Sequence, residues 1–234
     1  MSYPGVLCVW LKALPEQLKH GVVAALCVTG LSVSAGASSA EGGVSSAAEA
    51  APAPAERSIL QWIERMHSAP CARPYAGTFV VLAASGAMAS SRIWHACEGA
   101  QQMERVEALS GTPRTIFRRN DEVRTFWPQS RVVRSDRRDA SGLFPRVPVV
   151  EGTSISQFYA ARPVGQERVA GFVADVVWFK PVDSLRFGYQ LWSERETGLV
   201  VKLQTLGANG RVLEQAAFSE LDLNDPVRVE QLSR

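Results

Sequence analysis

The sequence predicts a mostly antiparallel β fold with helices, a sheet curled around a helix, and three observations predict it. Residues 168–202 (RVAGFVADVVWFKPVDSLRFGYQLWSERETGLVVK) read as three strands separated by two marked reversals. Short apolar runs elsewhere alternate with turn signals at Ser85-Gly86, Arg119-Asn-Asp121 and Ala208-Asn-Gly210, the pattern of consecutive hairpins. Ahead of these runs stands one amphipathic stretch, Ser58–Ser68, whose apolar stripe needs a surface to cover.

The N-terminus reads as a processing segment rather than as part of the fold. Lys12, Lys19 and His20 precede a 13-residue apolar core, Gly21–Val33, and small residues follow at 35–40. A basic flank, a core of that length and an Ala-x-Ala-like site describe a cleaved signal peptide over residues 1–40. A membrane-spanning helix needs about 20 apolar residues, more than this core supplies. Residues 41–57 (EGGVSSAAEAAPAPAER) carry almost no bulky side chain and read as a linker. Removing residues 1–40 takes away Lys12, Lys19 and Glu16 and leaves a mature chain close to neutral. The whole chain of 234 residues has a net charge of +2, so bulk electrostatics do not ask for nucleic acid.

From residue 58 the elements follow in order. Ile59, Leu60, Trp62, Ile63 and Met66 recur at helical spacing, with Gln61, Glu64 and Arg65 on the other side. Tyr75–Ala83 is the first strand and Ser90–Ala96 the second, with Arg92 and Trp94 facing away from Ile93 and His95. Residues 102–109 have helical propensity, but their alternation and short neighbours favour a strand. Thr115–Arg118 and Glu122–Trp127 flank a turn, and Arg131–Ser135 is a further short strand. Residues 136–152 read as a long loop and 155–161 (ISQFYAA) as a short helix. Phe172–Phe179, Phe187–Ser193 and Leu199–Leu206 are the three strands of the long stretch, and Val212–Glu220 pairs back after Asn209-Gly210. Asp222–Arg234 shows no clear hydrophobic pattern. Nine or ten strands joined by tight turns make an antiparallel sheet wrapped on a helix.

Cys71 and Cys97 are the cysteines beyond residue 40, and export permits a disulfide between them. Pairing around Ser85-Gly86 places position 71 opposite a residue near 99, within reach of Cys97. Two separate buried thiols are the alternative.

The chain contains no G-x-S-x-G, H-E-x-x-H, P-loop or G-x-G-x-x-G motif. No enzyme activity, cofactor or metal is expected. Asp175, Asp183 and Glu194 could be imagined as an acid/base set, but carboxylates in strands and turns are ordinarily solvated. Asp183 and Arg186 read better as an ion pair fixing the turn after Pro181. His67 reads as exposed near a helix end. Arg118, Arg119, Arg131, Arg134, Arg137 and Arg138 form a basic cluster whose planar forks suit phosphate or carboxylate, and a solvated face is the other reading. Phe79, Val81, Ile93, Phe126, Trp178, Tyr189 and Leu191 are either simple core or the lining of an apolar pocket for acyl chains.

A set of motifs then carries a resemblance. Tyr75-x-Gly-Thr-Phe-Val80, Arg92-Ile-x-His95, the run Glu104–Arg114 (ERVEALSGTPR) and Asp121-Glu-Val123 resemble the MucB/RseB family. So do Arg168-Val-Ala-Gly171, Pro181-x-Asp183, Arg186-Phe-Gly-Tyr-x-Leu-Trp192 and Thr197-Gly-Leu199. The likeness covers residues 57–223, nearly the whole mature chain. It implies an unclosed β-barrel packed on one or two helices, similar to LolA and LolB. It also implies a periplasmic, non-enzymatic regulator of the sigma-E envelope stress response. Such a regulator binds the periplasmic domain of an anti-sigma factor similar to RseA or MucA and shields it from proteolysis. Lipoprotein acyl chains or lipopolysaccharide would be sensed in the apolar cavity. Arg131, Arg134, Arg137 and Arg138 are then the candidates for anionic headgroups. The alternative is a lipoprotein or lipid carrier without a signalling role. On this reading the domain spans 58–225, residues 226–234 are a tail, and the family's usual C-terminal domain is absent. A homo-oligomer is left open.

Overall fold

The computed structural model describes residues 57–137, 144, 155–224 and 227–232. The expected signal peptide (1–40), most of the linker, Arg138 and most of the 136–152 loop lie outside the described residues.

The helix begins where the sequence places it. Ser58 is the N-cap of α1 (Ile59–Ala72). The backbone N–H of Gln61 donates to Ser58 Oγ at 3.3 Å, and Ser58 N–H donates to Gln61 Oε1 at 2.8 Å. That reciprocal pair satisfies two N-terminal donors that the helix itself leaves open. Ile59, Trp62, Ile63, Met66 and Ala69 form the buried stripe.

Eleven strands follow: β1 (Tyr75–Ala83), β2 (Met88–Glu98), β3 (Gln101–Ala108), β4 (Thr115–Arg119), β5 (Glu122–Trp127), β6 (Val132–Arg137), β7 (Tyr159–Val169), β8 (Phe172–Pro181), β9 (Gly188–Glu194), β10 (Val200–Leu206) and β11 (Val212–Asp222). They build one antiparallel sheet in the order β6-β5-β4-β3-β2-β1-β11-β10-β9-β8-β7. Two meanders thus meet at a central seam, where the first strand pairs with the last. β6 and β7 end the sheet without pairing to each other, so the barrel is unclosed.

One face of the sheet is covered by α1. Trp62 is fully buried there, among Phe79, Ile93, Val177, Phe179, Leu191, Val201, Leu203 and Phe218 of the same core. Phe144 adds a ring to it, stacked on Phe218 at 4.6 Å and edge-on to Phe79 at 5.3 Å. A small second cluster lies on the other face. Ala96 and Met103 are covered there by Val227, Val229 and Leu232, the last two on a short helix, α2 (Val229–Leu232).

One expectation is corrected. Residues 155–161 do not form a helix: Ile155–Gln157 is a single 3-10 turn, and Tyr159 already begins β7. Pro163 and Gly165 hid that eleven-residue strand. They are tolerated because β7 is an edge and its register shifts between them. In the stretch expected as a tail (226–234), Val227, Val229 and Leu232 are buried. A helix of four residues is too short to display a periodicity, which is why its sequence looked patternless.

Candidate functional site

Strand register decides which candidate side chains share a wall. Phe79 aligns with Phe218, and Val81 with Ala216. Leu203 aligns with Leu191, and Thr205 with Tyr189. Phe79, Val81, Ile93, Tyr189 and Leu191 all belong to the core beneath α1. Phe126 and Trp178 are separated from them by the alternation of their own strands. Phe126 is 39% exposed on the opposite face, aligned with Val133. Trp178 aligns with Gln190 and Arg162 and carries the Lys180 ammonium 5.4 Å from its ring centroid. The candidate apolar wall therefore contains five of the seven residues, and Phe126 and Trp178 are withdrawn from it.

The arginine cluster also divides. Arg118 is buried, not solvated. Arg119 and Arg131 are exposed, and Arg131 occupies a left-handed turn position at φ 53°. Arg134 pairs with Asp136 at 3.0 Å, and Arg137, three residues on, projects from the other side of β6. Arg138 lies outside the described residues.

Arg118 belongs instead to a buried polar row that the sequence reading did not assemble. Tyr75 on β1 aligns with His95 on β2, His95 with Glu104 on β3, and Glu104 with Arg118 on β4. The Tyr75 and His95 rings stack at 4.9 Å. His95 Nδ1 lies 2.9 Å from Glu104 Oε1, and Arg118 Nε lies 2.9 Å from Glu104 Oε2. His95, Glu104 and Arg118 are at most 2% exposed. Charges at that depth persist only when paired. The row ends on the Cys71–Cys97 disulfide (Cα–Cα 5.2 Å), with Cys97 Sγ 3.4 Å from His95 Nε2. The expected disulfide is thus present, joining the last turn of α1 to β2. Counting outward from the Gly99-Ala100 reversal places His95 opposite Glu104, and this was the signal available in the sequence.

The three carboxylates once weighed as an acid/base set have structural partners. Asp175 is buried, 3.3 Å from Arg57 Nη1, and accepts from Gln166 Nε2 at 2.9 Å. Asp183 pairs with Arg186 and accepts from Leu185 N–H, fixing the turn after Pro181 as expected. Glu194 is buried rather than solvated, and burial alone would raise its carboxyl pKa. Donation from Glu196 N–H, Thr197 Oγ1–H and Thr197 N–H, with Arg65 nearby, outweighs that burial and holds it below the usual value. Arg65 also donates to the Arg195 carbonyl at 2.6 Å, tying α1 to the β9–β10 turn. Asp183 and Glu194 thus hold their own turns, and Asp175 links Arg57 to Gln166 on β7.

The family model described as the MucB/RseB N-terminal domain matches residues 58–234. "Sigma factor AlgU regulatory protein MucB" of Pseudomonas aeruginosa is 30% identical over 185 residues, covering 78% of this chain and 56% of that protein. "Sigma-E factor regulatory protein RseB" of Haemophilus influenzae is 26% identical over 141 residues, 60% of this chain and 45% of that protein. The MucA/MucB complex of Pseudomonas aeruginosa superposes with a TM-score of 0.60 at 28% identity, covering 73% of this chain and 59% of the matched one. A crystal structure of MucB in complex with MucA(peri) superposes at 0.57 and 27% identity, with 73% and 57% covered. The chain spans about half the length of the curated relatives it matches.

Proposed function

This chain belongs to the MucB/RseB family, and we propose that it is an exported, non-enzymatic regulator that binds the periplasmic domain of an anti-sigma factor. The observation that carries this reading is the superposition on MucB solved together with MucA, at 27–28% identity. The relatives' names as sigma-factor regulatory proteins support the same role. Binding would shield the anti-sigma segment from proteolysis in the periplasm. The buried polar row and the structural use of Asp175, Asp183 and Glu194 support binding over catalysis.

The sensing part of the proposal assigns acyl chains of lipoprotein or lipopolysaccharide to the wall of Phe79, Val81, Ile93, Tyr189 and Leu191. α1 covers that wall, so a chain would enter as the helix shifts from the sheet. Arg131 and Arg134 are the proposed contacts for anionic headgroups, Arg134 by exchanging Asp136 for phosphate.

Calorimetric titration of the oxidised protein with the periplasmic segment of the cognate anti-sigma factor tests the reading. Binding at about micromolar affinity or tighter is expected, weakened by a lipopeptide or lipid A. Absence of heat at high concentration, with the lipopeptide still bound, would leave a carrier and overturn regulation by this chain.

A further inference from the structure

We propose that the reduced chain carries a zinc-class metal site built from Cys71 Sγ, Cys97 Sγ and His95 Nε2. These three ligand atoms lie within 4.8 Å of one another. The proposal rests on this cluster and stands apart from the regulatory role.

The imidazole is already held as a metal ligand would be. Glu104 Oε1 sits 2.9 Å from His95 Nδ1, and its other oxygen is engaged by Arg118. A carboxylate accepts, and in the neutral tautomer with the proton on Nδ1 the ring's lone pair lies on Nε2. That lone pair faces the sulfur pair, with Cys97 Sγ at 3.4 Å. The Tyr75 ring stacked at 4.9 Å fixes the imidazole plane. A carboxylate behind the histidine is the usual support that orients a metal-bound imidazole and raises its basicity.

The spacing fits a tetrahedral zinc-class ion. With Zn–N about 2.0 Å and Zn–S about 2.3 Å, a tetrahedral angle separates nitrogen and sulfur by about 3.5 Å. The Cys97–His95 contact is already at that length. Cys71 is exposed at the end of α1 while His95 is fully buried. The exposed cysteine can turn about its Cα–Cβ bond, and the fourth position opens to solvent. Two sulfurs, one imidazole and an open position form an established zinc donor set.

Metal and disulfide are alternatives for the same two sulfurs. A dithiol reductant supplies two electrons and two protons, opens the Cys71–Cys97 bond and itself becomes a disulfide. Metal binding then displaces the two thiol protons.

Cobalt(II) is the first probe, on protein purified from the periplasm of an expression host and reduced without oxygen. One cobalt per chain is expected, with thiolate-to-metal charge-transfer bands and tetrahedral d–d bands that zinc abolishes. Cys71→Ser should weaken binding by roughly 100-fold or more, and the oxidised protein should show no bands. X-ray absorption of the zinc form should count two sulfurs and one imidazole. Reduced protein without charge-transfer bands, folded or not, would overturn the site. So would bands unchanged in Cys71→Ser, or a zinc shell of sulfur without imidazole.

Discussion

Glu214 aligns with Thr205 and Ala83 at the β10–β11–β1 junction, and its Oε1 is buried with no hydrogen-bond partner among the described residues. Burial pushes its carboxyl up from 4.5 to about 7. The folded chain therefore keeps a proton that the unfolded chain has lost across that window. Stability from this group is fully present below the unfolded value and is lost as pH rises through the folded one. Thermal unfolding of the wild type should thus drop in midpoint between about pH 4.5 and 7, and Glu214→Gln should remove that drop. Parallel profiles for the two proteins would show that Glu214 is not the group responsible. At this scale the sequence was legible in its pairings but not in its depths. The Asp183–Arg186 pair and the Cys71–Cys97 bond were readable because each partner is near in sequence or unique in type. Burial of Arg118, Asp175 and Glu194 was not, since a charged letter in a strand looks the same on either face.

Helix α1 and the short α2 cap opposite faces of the sheet, and they differ in how the sequence announces them. α1 runs for 14 residues with a capping box and a clear stripe, so its existence and start follow from local chemistry. α2 contributes only Val229 and Leu232 to the cluster around Ala96 and Met103. Its position depends on the sheet already being formed. Leu232→Ala should cost about 2 kcal/mol in urea unfolding, at the lower end for a leucine truncation because the cluster is small. A loss below a few tenths would mean that the cluster contributes nothing to stability. β7 teaches the same lesson from the strand side. Pro163 and Gly165 argue against a strand until the edge position and the register shift are known.

For the molecule as a whole, the seam between β1 and β11 is the decisive contact. It joins residues such as Phe79 and Phe218 that are far apart in sequence, and it brings both meanders under one helix. The disulfide ties that helix to the sheet at its other end, closing a separation of 26 residues. In the chain-entropy account a loop of that size stabilises the fold by about 3 kcal/mol. Cys71→Ser, with the protein kept free of metal, should lower the unfolding free energy by about that amount. An unchanged denaturant midpoint would place the stabilisation elsewhere.

The sequence by itself determined the class of fold, the first helix, most strands and their turns, and the family. Those features are local: a period of two or 3.6, a cap, or an Asn-Gly reversal is written in neighbouring residues. The tertiary structure alone decided that Phe126 and Trp178 leave the wall formed by Phe79 and Leu191. It also brought Tyr75, His95, Glu104 and Arg118 into one buried row ending on a disulfide. The physical reason is that alternation tells which side chains of a strand share a face. Which face α1 covers, and which distant strand lies alongside, depends on how apolar area and paired charges balance over the entire sheet.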